Sequence, residues 1–172
     1  MMTPFKTLLE ETLESWRDVR QGLVAEVDNI PADRFDFRPT PEVRSVTELL
    51  QHILEVALMM TGELTRPDTD FRRARWPELL GLYAAPVKAA TTKTELLNLL
   101  QTTIDTAEQQ FLEAGELHML QLIERFDGEQ GTRLAWLNHG IAQEMYHRGQ
   151  LVLCERLMGI EPALTQRIRS ST

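Results

Sequence analysis

Four long stretches of this chain carry apolar residues at the spacing of a helix that buries one face, and this pattern restricts the fold more than any other feature. The stretches cover about residues 4–28, 45–66, 92–114 and 132–158. In each of them, large apolar residues recur three or four positions apart, which is the period of an α-helix. No stretch of useful length alternates apolar and polar residues as a half-buried strand does, and no hairpin signal separates two strand candidates. The sequence therefore predicts an all-α protein, a four-helix bundle with long crossover connections.

Residues that favour helix starts support three of these predictions. Thr3 is a suitable N-cap for the first helix, and Pro4 suits its first turn. The second and third helices begin with Ser45-Val46-Thr47-Glu48 and Thr92-Lys93-Thr94-Glu95. Both have the capping-box form, in which the hydroxyl accepts from the amide of the glutamate and the glutamate bonds back.

The connections between the helices are long. Residues 29–44 contain three prolines and no helical period, so we expect an ordered connection without a helix. Residues 65–91 are the least regular stretch, with a short helix expected over 77–83. Residues 117–126 are expected to form a further short element before the turn signal at 127–131, and the last helix begins at Thr132.

Charge and cysteine content exclude several classes of function. The net charge of −8, from 18 basic and 26 acidic residues, repels a phosphate backbone, so we expect no nucleic-acid partner. Four arginines in one irregular stretch (Arg66, Arg72, Arg73 and Arg75) are interpreted as a solvated loop.

The only cysteine, Cys154, cannot form an internal disulfide and is expected to be an inert buried thiol in a reducing compartment. The N-terminus is unlike a signal peptide, and no stretch approaches the ~20 apolar residues of a membrane span. We therefore expect a single cytoplasmic domain over residues 1–172, without a membrane partner.

Two of the four histidines lie inside strongly apolar helices, each with a glutamate one turn away. These pairs are His52 with Glu55, and Glu144 with His147. Residues three or four apart share a helix face, so each pair is able to point between the facing helices, where bundles build metal sites. Imidazole with an oxygen ligand suits Zn²⁺, Ni²⁺ or Fe²⁺ better than Mg²⁺ or Ca²⁺. The helix pattern alone also fits, and by itself favours, two hydrogen-bonded histidines at the boundary of the core.

The other two histidines are weaker candidates. His118 lies in an irregular stretch and is interpreted as a surface or boundary residue. His139 precedes His147 by eight residues, roughly 12 Å along a helix axis, so the two imidazoles cannot share one metal ion unless the helix is distorted near Gly140. Gln143 lies midway, one turn from each of them.

Two segments of the chain resemble the DinB/YfiT-like family of four-helix-bundle proteins, which are regarded as metalloenzymes. The first is FDFRPTPEVRSVTELLQHILE, residues 35–55, and the second, more specific one is LNHGIAQEMYHRGQL, residues 137–151. The resemblance covers nearly the whole chain. It implies one DinB-like domain, a divalent metal cofactor and a homodimer.

The resemblance implies three metal ligands, and this chain departs from the family at one of them. In the family, one histidine of the second helix and two histidines spaced H-x-x-x-H in the last helix hold the metal. His52 and His147 match two of these positions, and Gln143 occupies the third. An amide oxygen is neutral and is a weaker donor than imidazole. Three outcomes follow: Gln143 is a weak ligand, Glu144 or Glu55 replaces it, or the site has lapsed.

The residues that follow His147 belong to the same motif. Arg148 is expected either to orient the site by pairing with an acid of the second helix, Glu48 or Glu55, or to be a surface arginine. Gly149 is expected to allow another helix to approach closely.

Two functions are therefore compared. The resemblance implies a metal-dependent protein acting on a small molecule, as a thiol-dependent transferase or hydrolase that uses a low-molecular-weight thiol, with Glu144 as the candidate base. The alternative is a non-catalytic bundle with a degenerate metal site, a dimeric small-molecule-binding or stress-related protein. Retention of His52 and His147 favours the first function, and Gln143 favours the second.

Overall fold

Helices make up most of the structure, a computed structural model that describes residues 7–171. The α-helices in this part of the chain are α1 (Leu8–Asn29), α2 (Val46–Leu64), α3 (Trp76–Ala84), α4 (Lys93–Ala114), α5 (Glu116–Met119), α6 (Arg133–Leu157) and α7 (Ala163–Ser170). Two short 3₁₀ helices, Ala32–Arg34 and Ala85–Ala89, lie in the long connections. The strands β1 (Leu122–Glu124) and β2 (Gln130–Thr132) form one antiparallel pair.

The four long helices form the predicted bundle. Helix α1 packs against α4 and α6, and α2 packs against the same two helices, so α1 and α2 lie diagonally opposite each other. The connection that contains α3 carries the chain from α2 across to α4. The all-α prediction with long crossovers is therefore confirmed. Within residues 7–171, no helix has the length and apolar character that would let it cross a membrane.

Local capping explains where three of these helices begin. The Ser45 hydroxyl accepts from the Glu48 amide at 3.2 Å, and the Glu48 carboxylate accepts from the Ser45 amide at 2.8 Å. The second predicted capping box, at Thr92, is also present. Helix α1 is capped by Thr7, whose hydroxyl accepts from the Glu10 amide. The predicted cap at Thr3 and start at Pro4 lie outside the described residues.

Two short elements differ from the sequence analysis. The expected short element over residues 117–126 divides into α5 and β1, and β1 pairs with β2 across the turn that contains Gly128, whose φ of +83° suits glycine. Strands of three residues are too short to show an alternating pattern. Helix α7 was not predicted, because Pro162 was interpreted only as a stop signal. Its amides at Ala163 and Leu164 donate to Glu26 of α1, which is far away in sequence.

A polar layer crosses the bundle at mid-height and divides the core into two apolar clusters. The first cluster includes Trp16, Val56 and Ile141, and the second includes Leu23, Ile53 and Leu151. Between them lie buried polar side chains of α1 and α6, namely Arg20, Glu144 and His147. Buried polar groups destabilise a fold unless they are bonded, so the partners of this layer define the candidate site.

Candidate metal centre

His52 of α2 and His147 of α6 lie against each other between the two helices. Their ring centroids are 4.9 Å apart, and the ring planes are inclined at 87°. His147 is only 6% exposed, and His52 is partly buried. The structure therefore brings together the two histidines that the sequence singled out.

Gln143 lies beside this histidine pair. Its amide nitrogen Nε2 is 3.2 Å from Nε2 of His52. Gln143 precedes His147 by four residues, so the two share a face of α6. Rotation of the amide by half a turn exchanges its donor nitrogen for its acceptor oxygen. Two imidazoles and one amide thus converge at this point.

Gln150 fixes the protonation pattern of His147. Nδ1 of His147 lies 2.9 Å from the amide oxygen Oε1 of Gln150. An amide oxygen only accepts, so Nδ1 donates the proton of this bond, and in the neutral form of the ring Nε2 keeps its lone pair. Metal-binding histidines are commonly oriented by such a bond from their other ring nitrogen.

His52 is held in its neutral form. Burial, which has the largest effect, and the positive charges of Arg44 and of a protonated His147 together lower its pKa from 6.5 to about 4. At neutral pH the ring is therefore uncharged, which is the state that a metal ion requires of an imidazole ligand.

Glu144 has partners other than those expected. Its Oε1 accepts from Nε of Arg20 at 2.5 Å, and its Oε2 accepts from the same guanidinium at 2.8 Å and from the Trp16 indole at 3.0 Å. Both carboxylate oxygens are therefore bonded to α1. Across residues 7–171, no three His, Cys, Asp or Glu side chains converge as metal ligands, so neither Glu144 nor Glu55 takes the place of Gln143 in this structure.

Arg148 also turns toward α1. Its guanidinium lies 3.4 Å from the buried carboxylate of Glu26 and packs against Gly22, where an added Cβ would lie 2.1 Å from it. The expected pairing with Glu48 or Glu55 is wrong, because Glu48 is bonded to Ser45 and Arg38 at the start of α2. Arg148 therefore joins α6 to α1 instead of orienting the histidines from α2.

The remaining candidate residues lie away from the histidine pair. The exposed His139 stacks on Trp136, with ring centroids 4.5 Å apart, and Nε2 of His118 lies 2.9 Å from the carbonyl oxygen of Leu64. A Cβ added at Gly149 would meet nothing within 4 Å, so the expected close approach of another helix does not occur among the described residues.

The sequence of the chain matches the model of a known protein family. The model described as the DinB family matches residues 1–171. This chain belongs to the DinB family. The resemblance in the two motifs is therefore confirmed at the level of the family. No curated protein matched the chain.

Solved structures similar to this DinB chain have the same fold. A DinB-like protein from Bacillus subtilis is 20% identical, with a TM-score of 0.65, and the match covers 87% of this chain and 92% of that one. A DinB-like protein from Bacillus cereus is 17% identical, with a TM-score of 0.62, over 89% of this chain and 94% of that one. A mycothiol-dependent maleylpyruvate isomerase is 17% identical, with a TM-score of 0.67, and the match covers 87% of this chain but 63% of the isomerase. At these identities the likeness establishes the fold.

The donor set of this DinB chain fits a borderline divalent cation. His52 is neutral, the neutral form of His147 has a lone pair on Nε2, and the amide of Gln143 contacts the ring of His52, which in turn contacts the ring of His147. Two imidazoles and one oxygen donor suit Zn²⁺, Ni²⁺ or Fe²⁺. The uncharged amide makes this set weaker than three imidazoles or two imidazoles with a carboxylate.

Proposed function

We propose that this chain is a metal-dependent DinB protein. In this proposal His52 and His147 bind a divalent cation, Zn²⁺, Ni²⁺ or Fe²⁺, and the amide oxygen of Gln143 is a third, weaker ligand. The observation that carries the proposal is the contact between the two histidine rings. Because Nδ1 of His147 is bonded to Gln150, its Nε2 is the nitrogen available to a metal ion. Arg20 and Glu144 support the site by fixing α6 against α1.

The proposed reaction class is that of a thiol-dependent transferase or hydrolase. A bound cation supplies Lewis acidity, which polarises a carbonyl group or lowers the pKa of a bound thiol or water. The fold is shared with an isomerase described as mycothiol-dependent, which supports a low-molecular-weight thiol as co-substrate. A thiol co-substrate requires a reducing compartment, and the single buried cysteine of this chain is compatible with the cytoplasm.

The second candidate function is a non-catalytic, small-molecule-binding or stress-related bundle with a degenerate metal site. The contact between Gln143 and His52 favours it, because an amide that hydrogen-bonds to the imidazole satisfies the ring without a metal ion. The pairing of Glu144 with Arg20 also favours it, since this carboxylate is then held away from the ligand set.

We further propose that the protein is a homodimer that uses the outer face of α6. Tyr146 and Leu157 are 66% and 56% exposed, and they lie along one face of the helix with the bare backbone of Gly149 between them. A second copy of this face is able to approach closely at the glycine. Light scattering after gel filtration should give the mass of two chains for the wild type and for a Leu117→Glu control, which changes an exposed leucine of α5. It should give the mass of one chain for Leu157→Glu. A wild type with the mass of one chain would refute the dimer.

Metal content and thermal stability test the metal site. The protein is purified without added metal, and its melting temperature is measured during Zn²⁺ and Ni²⁺ titrations. A cation at about 100 times its dissociation constant stabilises the native state by about 2.7 kcal/mol, which corresponds to a rise of roughly 5–10 °C in a protein of this size.

Matched variants separate specific from adventitious binding. His147→Ala should abolish the rise, and His139→Ala should retain it, because His139 lies on the same helix but stacks on Trp136. A wild type with no bound metal and no change in melting temperature would favour the second candidate function.

A further inference from the structure

A cavity of ≈ 650 Å³ lies between the connection that precedes α2 and the C-terminal half of α6. This volume is within the usual range of binding sites for small molecules. The lining includes apolar side chains from both elements, Val43 and Leu153, and it includes the guanidinium of Arg44.

The cavity adjoins the histidine pair. Gln150, which lines the cavity, accepts the hydrogen bond from Nδ1 of His147. Arg44, on the opposite wall, directly precedes the cap of the helix that carries His52, and its charge acts on the His52 ring. A molecule in the cavity would therefore lie beside the proposed metal ligands.

Arg44 is a cation without a partner. Among residues 7–171 it has neither a hydrogen bond nor an ion pair. The two nearest acids in sequence are bonded elsewhere. The Glu42 carboxylate accepts from Thr40 and from its own backbone amide, and the Glu48 carboxylate accepts from Ser45 and Arg38. In a chain with a net charge of −8, an unpaired guanidinium on a cavity wall selects an anion.

The rest of the wall suits an apolar molecule. Leu49 and Cys154 are buried, and burial raises the pKa of the Cys154 thiol, so this thiol is uncharged at neutral pH. A protonated thiol behaves as a small apolar group. Together with Val43 and Leu153, these side chains form the apolar part of a wall that carries two charged groups, the Glu42 carboxylate, which is bonded to Thr40, and the unpaired guanidinium of Arg44.

We propose that this cavity binds a small organic carboxylate, with Arg44 pairing with the carboxylate group and Val43, Leu49 and Leu153 contacting the apolar portion. The binding site depends on the residues of the cavity alone. Its role as the substrate site rests on the proposed function, because the occupant lies beside the proposed metal ligands His52 and His147.

Calorimetric titration of the full chain with octanoate and with its neutral analogue octanamide tests the charge selection. Octanoate should bind the wild type about tenfold or more tightly than octanamide does, because only octanoate forms a hydrogen-bonded ion pair with the Arg44 guanidinium. Arg44→Gln should weaken octanoate binding to the level of octanamide, and Arg44→Lys should retain part of the preference. Arg34→Gln, which changes another exposed arginine, should leave binding unchanged.

A second variant tests the location. Val43→Trp adds bulk to the cavity wall from an exposed position in the connection, so it should weaken both ligands together without disturbing the core. The proposal is overturned if the wild type does not bind octanoate, if Arg44→Gln binds it as tightly as the wild type, or if Val43→Trp binds both ligands normally.

The metal titration separates this inference from the proposed function. A protein that binds Zn²⁺ but not octanoate contradicts only the carboxylate site. A protein that binds octanoate through Arg44 but takes up no metal contradicts the metal centre and leaves the carboxylate site intact.

Discussion

Replacing Glu155 by glutamine should stabilise the protein at pH 8 and change it little at pH 4.5. Glu155 lies on α6 and is fully buried. Its Oε1 accepts from the Asn29 amide at 2.8 Å. Burial has the largest effect on the pKa of Glu155, and together with the negative charge of Glu26 and a side-chain hydrogen bond to it, burial raises this pKa to about 7 against the opposing effect of the bond from Asn29. The folded protein therefore holds a neutral carboxylic acid here over much of the acidic range.

The size of the effect follows from the two pKa values. In the unfolded chain Glu155 releases its proton near pH 4.5, whereas in the folded chain it does so near pH 7. Between these values the folded state binds the extra proton, so the free energy of unfolding falls as pH rises through this window. The difference in pKa corresponds to about 3 kcal/mol of stability lost by pH 8. Glutamine stays neutral and still accepts from Asn29, so the variant should avoid this loss.

His52 has the opposite effect in an overlapping range. Its pKa is lowered from 6.5 to about 4, so the unfolded chain binds the extra proton between these values and stability falls as pH falls. The two contributions partly cancel in the wild type. Both proteins contain His52, so the difference between their stabilities isolates Glu155.

Urea denaturation from pH 4.5 to pH 8.5 measures this difference directly. The wild type, Glu155→Gln and the exposed control Glu14→Gln are compared at each pH. The stability gain of Glu155→Gln should grow with pH and level off above pH 7, while the control should stay close to the wild type throughout. A gain that does not change with pH, or a variant less stable than the wild type at pH 8, would refute the reasoning.

Three further predictions concern α1, α6 and the metal ligands. Glu144→Ala should lower the free energy of unfolding in urea by about 3–5 kcal/mol, because it leaves the buried guanidinium of Arg20 unpaired; a loss below 1 kcal/mol would contradict the buried pair. Gly22→Ala should destabilise the protein by about 1–3 kcal/mol in the same assay, because the new methyl group displaces a guanidinium of α6. Gly81→Ala, at an open helical position, should instead stabilise by up to ~1 kcal/mol; equal effects of the two glycine substitutions would refute the contact. Gln143→His should tighten Zn²⁺ binding at least tenfold in a chelator competition, because imidazole is a stronger ligand than an amide oxygen. A tenfold change corresponds to about 1.4 kcal/mol. Unchanged affinity would show that position 143 does not contribute a ligand.

Features of the fold that depend on neighbouring residues were predictable, and features that depend on distant ones were not. The Ser45–Glu48 capping box joins residues three positions apart, so the sequence shows it directly. Helix α7 depends on Glu26, which accepts from its first amides across 137 positions of the chain. No local pattern records that bond, and Pro162 alone indicates a stop as readily as a start.

In the candidate site, too, local features were predictable and contacts between distant residues were not. The positions of His52 and His147 followed from helical spacing and from the family motif. The partner of Glu144 did not, because three residues turn a helix through about 300°, so Glu144 and His147 differ by about 60° and face different helices. One signal did point to it: Arg20 lies among the apolar residues of α1, and a buried charge requires a partner of opposite sign.

Zinc titration followed through the ring nitrogen resonances of the histidines tests the proposed metal centre most directly. The chain has four histidines, so each ring can be assigned by single substitution. Zinc should shift the signals of His52 and His147 together, with the Nε2 of His147 as the coordinating atom because its Nδ1 is bonded to Gln150. The signals of His118 and His139 should stay unchanged. Shifts confined to His118 or His139, or no shift in any of the four rings at saturating zinc, would contradict the metal centre.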